Sequence, residues 1–465
     1  MKLQERLKKY REISHLKGWD IILIFIILSV IILTMHYADI TVTSQFSLIF
    51  LDSLFDGEFA SFYNNSLTSG IAPEGAVYDI GLYFVFAIWG IPVWILKNIA
   101  NINVLGVGSL LWFKLLVVLF GIGTTILVGK IAKCLYFKEE VCIYSSLVYI
   151  LSLLFSFPVF VIAQYDVIPL FFVLNGVHKW LDKGVNKGLI SFAFAFTMKP
   201  FAILVFAIML LLEEKNILSI VLRGGITLVP WLICKVIYIF NPVNNASNNN
   251  FFLEMFPKLL KVKFDVGSGE CSVFFLLIFI IYLIAYIYVP QNSKLTKGEQ
   301  FVLLSFTLWS SFCVFAEVYP YWIIYLAPFL SIIIFFNLSY VNLMLMLEMI
   351  VNVGIIFLMI IQYPWVYGGQ KTFSYLVLKP MYEIIGAKNI STVGGGLNVL
   401  NLMKFQPIVS AAVLASVVML LFLAYKGLSA GIKVDNNTLI SPWHIRIRAV
   451  MLYGWMMLCL ILLLM

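Results

Sequence analysis

Residues 161–170 read VIAQYDVIPL. Apolar sequence runs up to Gln164 on one side and away from Pro169 on the other. A charged Asp near the middle of a bilayer costs about 2.5–3.5 kcal/mol on insertion scales. Asp166 must therefore sit at a membrane surface, line a watery cavity, or be paired. The rest of the chain poses the same question. It has 465 residues, of which 62% are hydrophobic and 12% charged, with a mean hydropathy of +1.01. A soluble domain carries about 25% charged residues, so the composition describes a polytopic membrane protein whose spans must be counted.

Apolar stretches of spanning or near-spanning length fall at about 19–36, 80–97, 108–129, 141–163, 167–180, 189–212, 217–240, 271–290, 300–316, 319–337, 341–362, 407–425 and 446–464. This reading gives about 13 spans. The net charge of +8 lies largely in short loops and in the N-terminal segment MKLQERLKKYREISHLKG, where positive charge marks a cytoplasmic side. It is no nucleic-acid footprint. The segment lacks a small-residue cleavage signature and is read as leading into a retained first helix. Charge and simple alternation disagree over 80–140, and orientation there stays open. The run 189–212 is broken by Met198-Lys199-Pro200. Proline ends a helix and a lysine at depth wants water or an anion, so two half-length helices with Lys199 near the tip of a hairpin are expected.

Three non-cytoplasmic segments stand out. Segment 37–79 is acidic, with no Lys or Arg, and repeats apolar residues at 46, 49, 50, 54 and 55, as an amphipathic helix on a membrane surface would. Segment 241–270 begins asparagine-rich, and 363–406 holds a glycine run at 394–396. The chain has no Walker A loop, dinucleotide-binding glycine fingerprint, HExxH or GxSxG. Its six cysteines and four histidines show no metal-ligand spacing. What remains is carboxylates at helix ends: Asp39 after the first span, Asp79 before the second, and Asp166 in a short turn. Together they could line one cleft that deprotonates a hydroxyl or holds a divalent cation.

These residues resemble the GT-C membrane glycosyltransferases. Asp39 after the first helix, followed by a loop ending in DGEFASFYNN, looks like that family's first external loop. AQYDVIPLFFVLNGVHKWLDKG is similar to the Gly-Gln-Tyr/Phe-Asp motif and following helix of bacterial members. KGLISFAFAFTMKPFAILVFAIMLL looks like the next segment, and EVYPYWIIYLAPFL at 317–330 resembles the family's His-Pro-x-Tyr helix. The ordered set covers most of 20–335, and Ala163 and Glu317 depart from the pattern.

The resemblance implies transfer of a sugar from a polyprenyl-phosphate carrier to a glycan, glycolipid or cell-wall acceptor outside the cytoplasm, in the manner of bacterial mannosyltransferases and usually with inversion. Asp39 would be the general base. Asp166, Gln164, Tyr165, Asp79 and Glu317 would support the cleft. Lys199, Tyr319 and Tyr321 would contact the donor phosphate, with Lys258 or Lys261 as further cations. No metal ligand is assigned, and a divalent cation stays open.

Plainer roles compete. Asp166 and Asp79 could simply cap helices, Lys199 could snorkel, and the tyrosines could belong to an interfacial belt. The rival functions are a transporter or flippase of lipid-linked sugars, and a polysaccharide polymerase or ligase using pyrophosphate-linked donors. The expectation is an all-α polytopic membrane protein with a GT-C-like transmembrane helix bundle and an amphipathic first external loop. Its parts are a cytoplasmic segment 1–18, a catalytic module 19–340, and C-terminal helices 341–465.

Overall fold

The computed structural model describes residues 17–35, 38–100, 107–267, 269–363, 401–430 and 441–464. Expectations about segment 1–18 and loop 363–406 fall almost wholly outside these residues. Each of the apolar stretches carries helix. In order, the helices used below are α1 Gly18–Thr34, α2 Ala38–Phe55, α3 Ile80–Asn98, α4 Val107–Cys134, α5 Glu139–Leu151, α6 Val167–Lys183, α7 Val185–Phe196, α8 Ala202–Glu213, α9 Ile217–Ile237 and α10 Pro242–Leu259. A two-stranded antiparallel hairpin follows, β1 Lys263–Val266 and β2 Gly269–Ser272. Then come α11 Val273–Ile287, α12 Lys297–Phe315, α13 Val341–Gln362, α14 Gln406–Ser429 and α15 Trp443–Leu464.

The chain is a helical, multi-pass membrane protein. Among the described residues six helices are long and apolar enough to cross a bilayer, or seven if one bent pair is a single span. Of the remaining apolar runs, 446–464 lies in the 22-residue α15, and the others are shorter helices or broken ones. The bent pair shows why. The run 141–163 turns by 53° between α5 and the helical stretch Leu153–Val161. At the break Ser152 is extended, its hydroxyl donates to Asn352 Oδ1 at 2.6 Å, and the Leu154 N–H donates to the same oxygen at 3.1 Å. Asn352 on α13 thus satisfies backbone that the bend frees, as burial in an apolar medium requires.

Ion pairs tie α15 to α1 and to α13. Asp20 in the first turn of α1 accepts from Arg446 Nε and a terminal guanidinium nitrogen, both at 3.0 Å. Arg448 pairs with Glu348, and Asn352 donates to that carboxylate at 2.6 Å. The buried Lys114 ammonium donates to the Ile31 and Met35 carbonyls at the C-terminal end of α1, where a helix welcomes a cation.

The expected hairpin around Lys199 forms. α7 and α8 are 12 residues each, and Phe206 packs against Phe192 and Phe196 at 5.1 and 5.3 Å between ring centroids. Contacts symmetric about position 199 put Lys199 at the tip. The helix expected in the first loop also forms, as α2. It runs parallel to α3: Phe46 meets Tyr83, and Asp52 accepts hydrogen bonds from Trp94, Lys97 and Asn98 at 2.7, 3.1 and 3.0 Å.

Candidate active site

The carboxylate of Asp166 is paired. The turn that carries it is made by Ala163, in the left-handed region at φ +60°, and by the Gln164 N–H donating to the Pro158 carbonyl at 2.8 Å. Asp166 occupies the residue before α6 but its side chain makes no capping bond. Oδ1 instead accepts from Lys199 Nζ at 2.6 Å, with both side chains buried. Four rings surround the ammonium: Tyr78 and Tyr165 at 5.4 Å, Tyr321 at 5.5 Å and Trp322 at 5.9 Å. Each distance lies inside the cation–π range of about 6 Å. Asp166 Oδ2 and the Tyr325 hydroxyl are both buried and make no hydrogen bond among the described residues.

Asp39 joins this group from the first turn of α2. Its Oδ2 accepts from Gln164 Nε2 at 3.3 Å, and Asp166, Lys199 and Glu74 are close enough to act on it electrostatically. Burial pushes the Asp39 carboxyl up to about 6, while the Gln164 hydrogen bond and the Lys199 ammonium pull the other way. A carboxylate at a helix N-terminus with such a proton affinity is ionised near neutrality and still basic enough to accept a proton.

The other sequence candidates divide. Gln164, Tyr165 and Tyr321 lie in the group around Asp39 and Lys199. Asp79 precedes α3 without capping it. Its carboxylate pairs with Lys235 and accepts from Trp231 Nε1 at 3.2 Å, both on α9. Glu317 pairs with Lys261 at 3.0 Å, and its backbone N–H donates to the Lys258 carbonyl at 2.9 Å. Tyr319 donates to Glu254 and accepts from Lys258 Nζ at 2.7 Å. This second cluster touches the first through stacked rings, Tyr319 over Tyr321 at 5.6 Å and 6°.

Sequence reading missed Tyr78, Trp322, Tyr325 and Glu254. Aromatic residues in so apolar a chain carry no mark that separates a cation's cage from lipid-facing packing. The next residues hold one more signal. Gly81 donates its backbone N–H to the Thr197 carbonyl at 3.2 Å, and a Cβ there would lie 2.5 Å from that oxygen. The start of α3 is thereby pressed against the break that bears Lys199. Among the described residues no group of three or more His, Cys, Asp or Glu is placed to hold a metal ion.

An apolar cavity of about 970 Å³ opens between α3, α4, α7 and α9. Phe84, Phe120, Phe172, Phe194 and Ile226 line it, together with Gly81, Thr197 and Met198. Lys199 follows Met198 in sequence and is not among the lining residues.

Among solved structures the chain is similar to ArnT from Cupriavidus metallidurans in the apo state, at 13% identity and a TM-score of 0.43, over 93% of this chain and 77% of that one. No family model and no curated protein matches it.

Proposed function

We propose that this protein is a GT-C-type membrane glycosyltransferase that moves a sugar from a polyprenyl-phosphate donor onto a glycan, glycolipid or cell-wall hydroxyl. The observation that carries the reading is the meeting of Asp39 with the Gln164–Asp166–Lys199 group, three separate stretches that resemble successive motifs of that family. The apolar cavity, whose lining includes Met198 next to Lys199 in sequence, supports it, because a polyprenyl chain needs an apolar path and its phosphate a cation. In this reading the catalytic module is 19–340, the N-terminus is cytoplasmic and the active site faces the outside.

The chemistry follows from the side chains. The acceptor hydroxyl gives its proton to Asp39 while its oxygen forms a bond to the anomeric carbon. The bond from that carbon to the phosphate oxygen breaks, and the electron pair leaves with the polyprenyl phosphate. A positioned general base contributes roughly 10²–10⁴-fold. Lys199, held by Asp166 and the rings around it, offers a fixed positive charge to the leaving phosphate, and stabilisation of developing charge by a fixed cation is a large catalytic term. The phenolic hydroxyls of Tyr78, Tyr165 and Tyr321 are additional donors around the ammonium. Mannose is the sugar suggested by the bacterial resemblance.

Membranes containing the full chain are tested for transfer of labelled sugar from polyprenyl monophosphate and from polyprenyl diphosphate donors, with Asp39→Asn alongside. Transfer from the monophosphate, lost in Asp39→Asn, is expected. Transfer from the diphosphate alone assigns the polymerase or ligase reading. Movement of labelled lipid across the bilayer with no transfer assigns the flippase reading.

A further inference from the structure

The hairpin of β1 and β2 has one apolar and one polar face. Side chains alternate along a strand, so Val262, Phe264 and Val266 share a side, and Lys263 and Asp265 share the other. All three apolar residues are exposed, at 38%, 42% and 41%. On the polar face Lys263 pairs with Glu270 at 2.8 Å, and Asp265 lies directly across from the same glutamate, where like charges repel, so this face belongs in water. Water gains nothing from an exposed Phe and two exposed Val side by side, so this face calls for an apolar neighbour.

Its place in the fold names that neighbour. β2 ends at Ser272 and α11 begins at Val273 with no residue between. The Val273 N–H donates to the Val262 carbonyl at 3.1 Å, so the ladder continues into the first residue of the helix. The hairpin is welded to α11, whose Phe279, Leu283 and Ile287 are exposed as lipid-facing residues are. On the other side Phe256 of α10 packs on Phe275 of α11 at 6.0 Å. The exposed hairpin face thus stands at the start of a helix whose own exposed side chains are apolar.

The geometry points to a membrane-surface anchor: Val262, Phe264 and Val266 insert at the headgroup–acyl boundary of the bilayer that α11 enters. Insertion of this kind follows buried apolar area. The pairing of Lys263 with Glu270 and of Lys261 with Glu317 leaves little charge to attract anionic lipid, so zwitterionic lipid suffices. The anchor has a structural consequence. Lys258, four residues before Val262, contacts Tyr319 through its ammonium and Glu317 through its carbonyl. Seating the hairpin fixes the height of that corner above the membrane.

The test uses the full chain in phosphatidylcholine vesicles. In a cysteine-free background, nitroxide labels are placed one at a time through Lys263→Cys, Phe264→Cys, Asp265→Cys and Val266→Cys. Collision with oxygen, relative to a water-soluble nickel chelate, is expected to be several-fold higher at 264 and 266 than at 263 and 265. Equal or greater exposure to the chelate at 264 and 266 overturns the anchor. So does closure of both positions to both reagents, which would mean cover by protein such as a second copy. The unaltered chain gives a second measurement with diazirine-bearing phosphatidylcholine. Adducts mapped to 262–266 are expected, and adducts confined to the long apolar helices overturn the proposal.

Discussion

Asp166 and Lys199 form an ion pair at 2.6 Å in which both side chains are buried. The pair joins the turn after the bent helix to the tip of the α7–α8 hairpin, and it answers the question posed by a carboxylate in VIAQYDVIPL. Removing one partner of a buried pair leaves an uncompensated charge and costs about 3–5 kcal/mol, whereas an apolar replacement of both can be close to neutral. Asp166→Leu and Lys199→Met should each lower the thermal unfolding midpoint in detergent well below that of the double variant. The double variant should fold but transfer no sugar. A double variant as unstable as either single one would remove the pair from this role.

Asp39 sets a pH limb. With its carboxyl pushed up to about 6 by burial, the base is ionised above that pH, and kcat/KM should fall as pH drops through about 6. An ordinary aspartate would hold activity down to about pH 4. Profiles of initial rate between pH 4.5 and 8 locate the limb.

The same shift has a stability consequence of opposite sense. The folded state holds the Asp39 proton more tightly than the unfolded chain, so between about pH 4 and 6 stability falls as pH rises. Asp39→Asn removes this cost. The variant should melt higher than the parent at pH 7.5 and no higher at pH 4.5, while being inactive at both. A melting difference independent of pH would mean that the carboxylate is not desolvated.

Gly81 is required by contact, not by backbone angle. A Cβ at this position meets the Thr197 carbonyl oxygen at 2.5 Å, closer than any relaxed contact. Gly81→Ala should push α3 off the Thr197–Pro200 break at a cost of about 1–3 kcal/mol. Activity should fall more than stability, because Tyr78 moves with the start of α3. Unfolding midpoints and transfer rates measured together separate the two effects.

Ala163 sits at φ +60°, where a Cβ costs about 1–2 kcal/mol. Glycine relieves that strain but adds unfolded-state entropy and loses a buried methyl, each worth about 0.5–1 kcal/mol. Ala163→Gly should therefore stay within about 1 kcal/mol of the parent and keep activity. Ala163→Val should cost about 2 kcal/mol or more by adding branching at a left-handed angle. Denaturation of both variants checks the sign.

Much of the architecture could be read from the sequence because local chemistry decides it. Pro200 and Lys199 inside one apolar run announce a broken helix. The turn holding Asp166 is short enough to be located by eye. Asp79 could not be placed that way. Its partners Trp231 and Lys235 lie some 150 residues further along, and nothing near Asp79 says that they pair with it. The bend at Ser152 likewise depends on Asn352, 200 residues away. The ring of Tyr78, Tyr165, Tyr321 and Trp322 around one ammonium comes from three separate stretches, each unremarkable among so many aromatics. Convergence of distant polar groups is a property of packing, and an isolated apolar run does not encode its neighbour.

Asp39 and Asp52 stand 13 residues apart on one rigid rod, α2, a separation of about 20 Å at helical rise. The far end is clamped to Trp94, Lys97 and Asn98, so α2 works as a dipstick whose grip sets how deep its tip reaches. Loosening that grip lets the carboxylate slide along its own axis with no contact near the chemistry altered, and a displacement of 1 Å at a reacting group can cost about 10²-fold in rate.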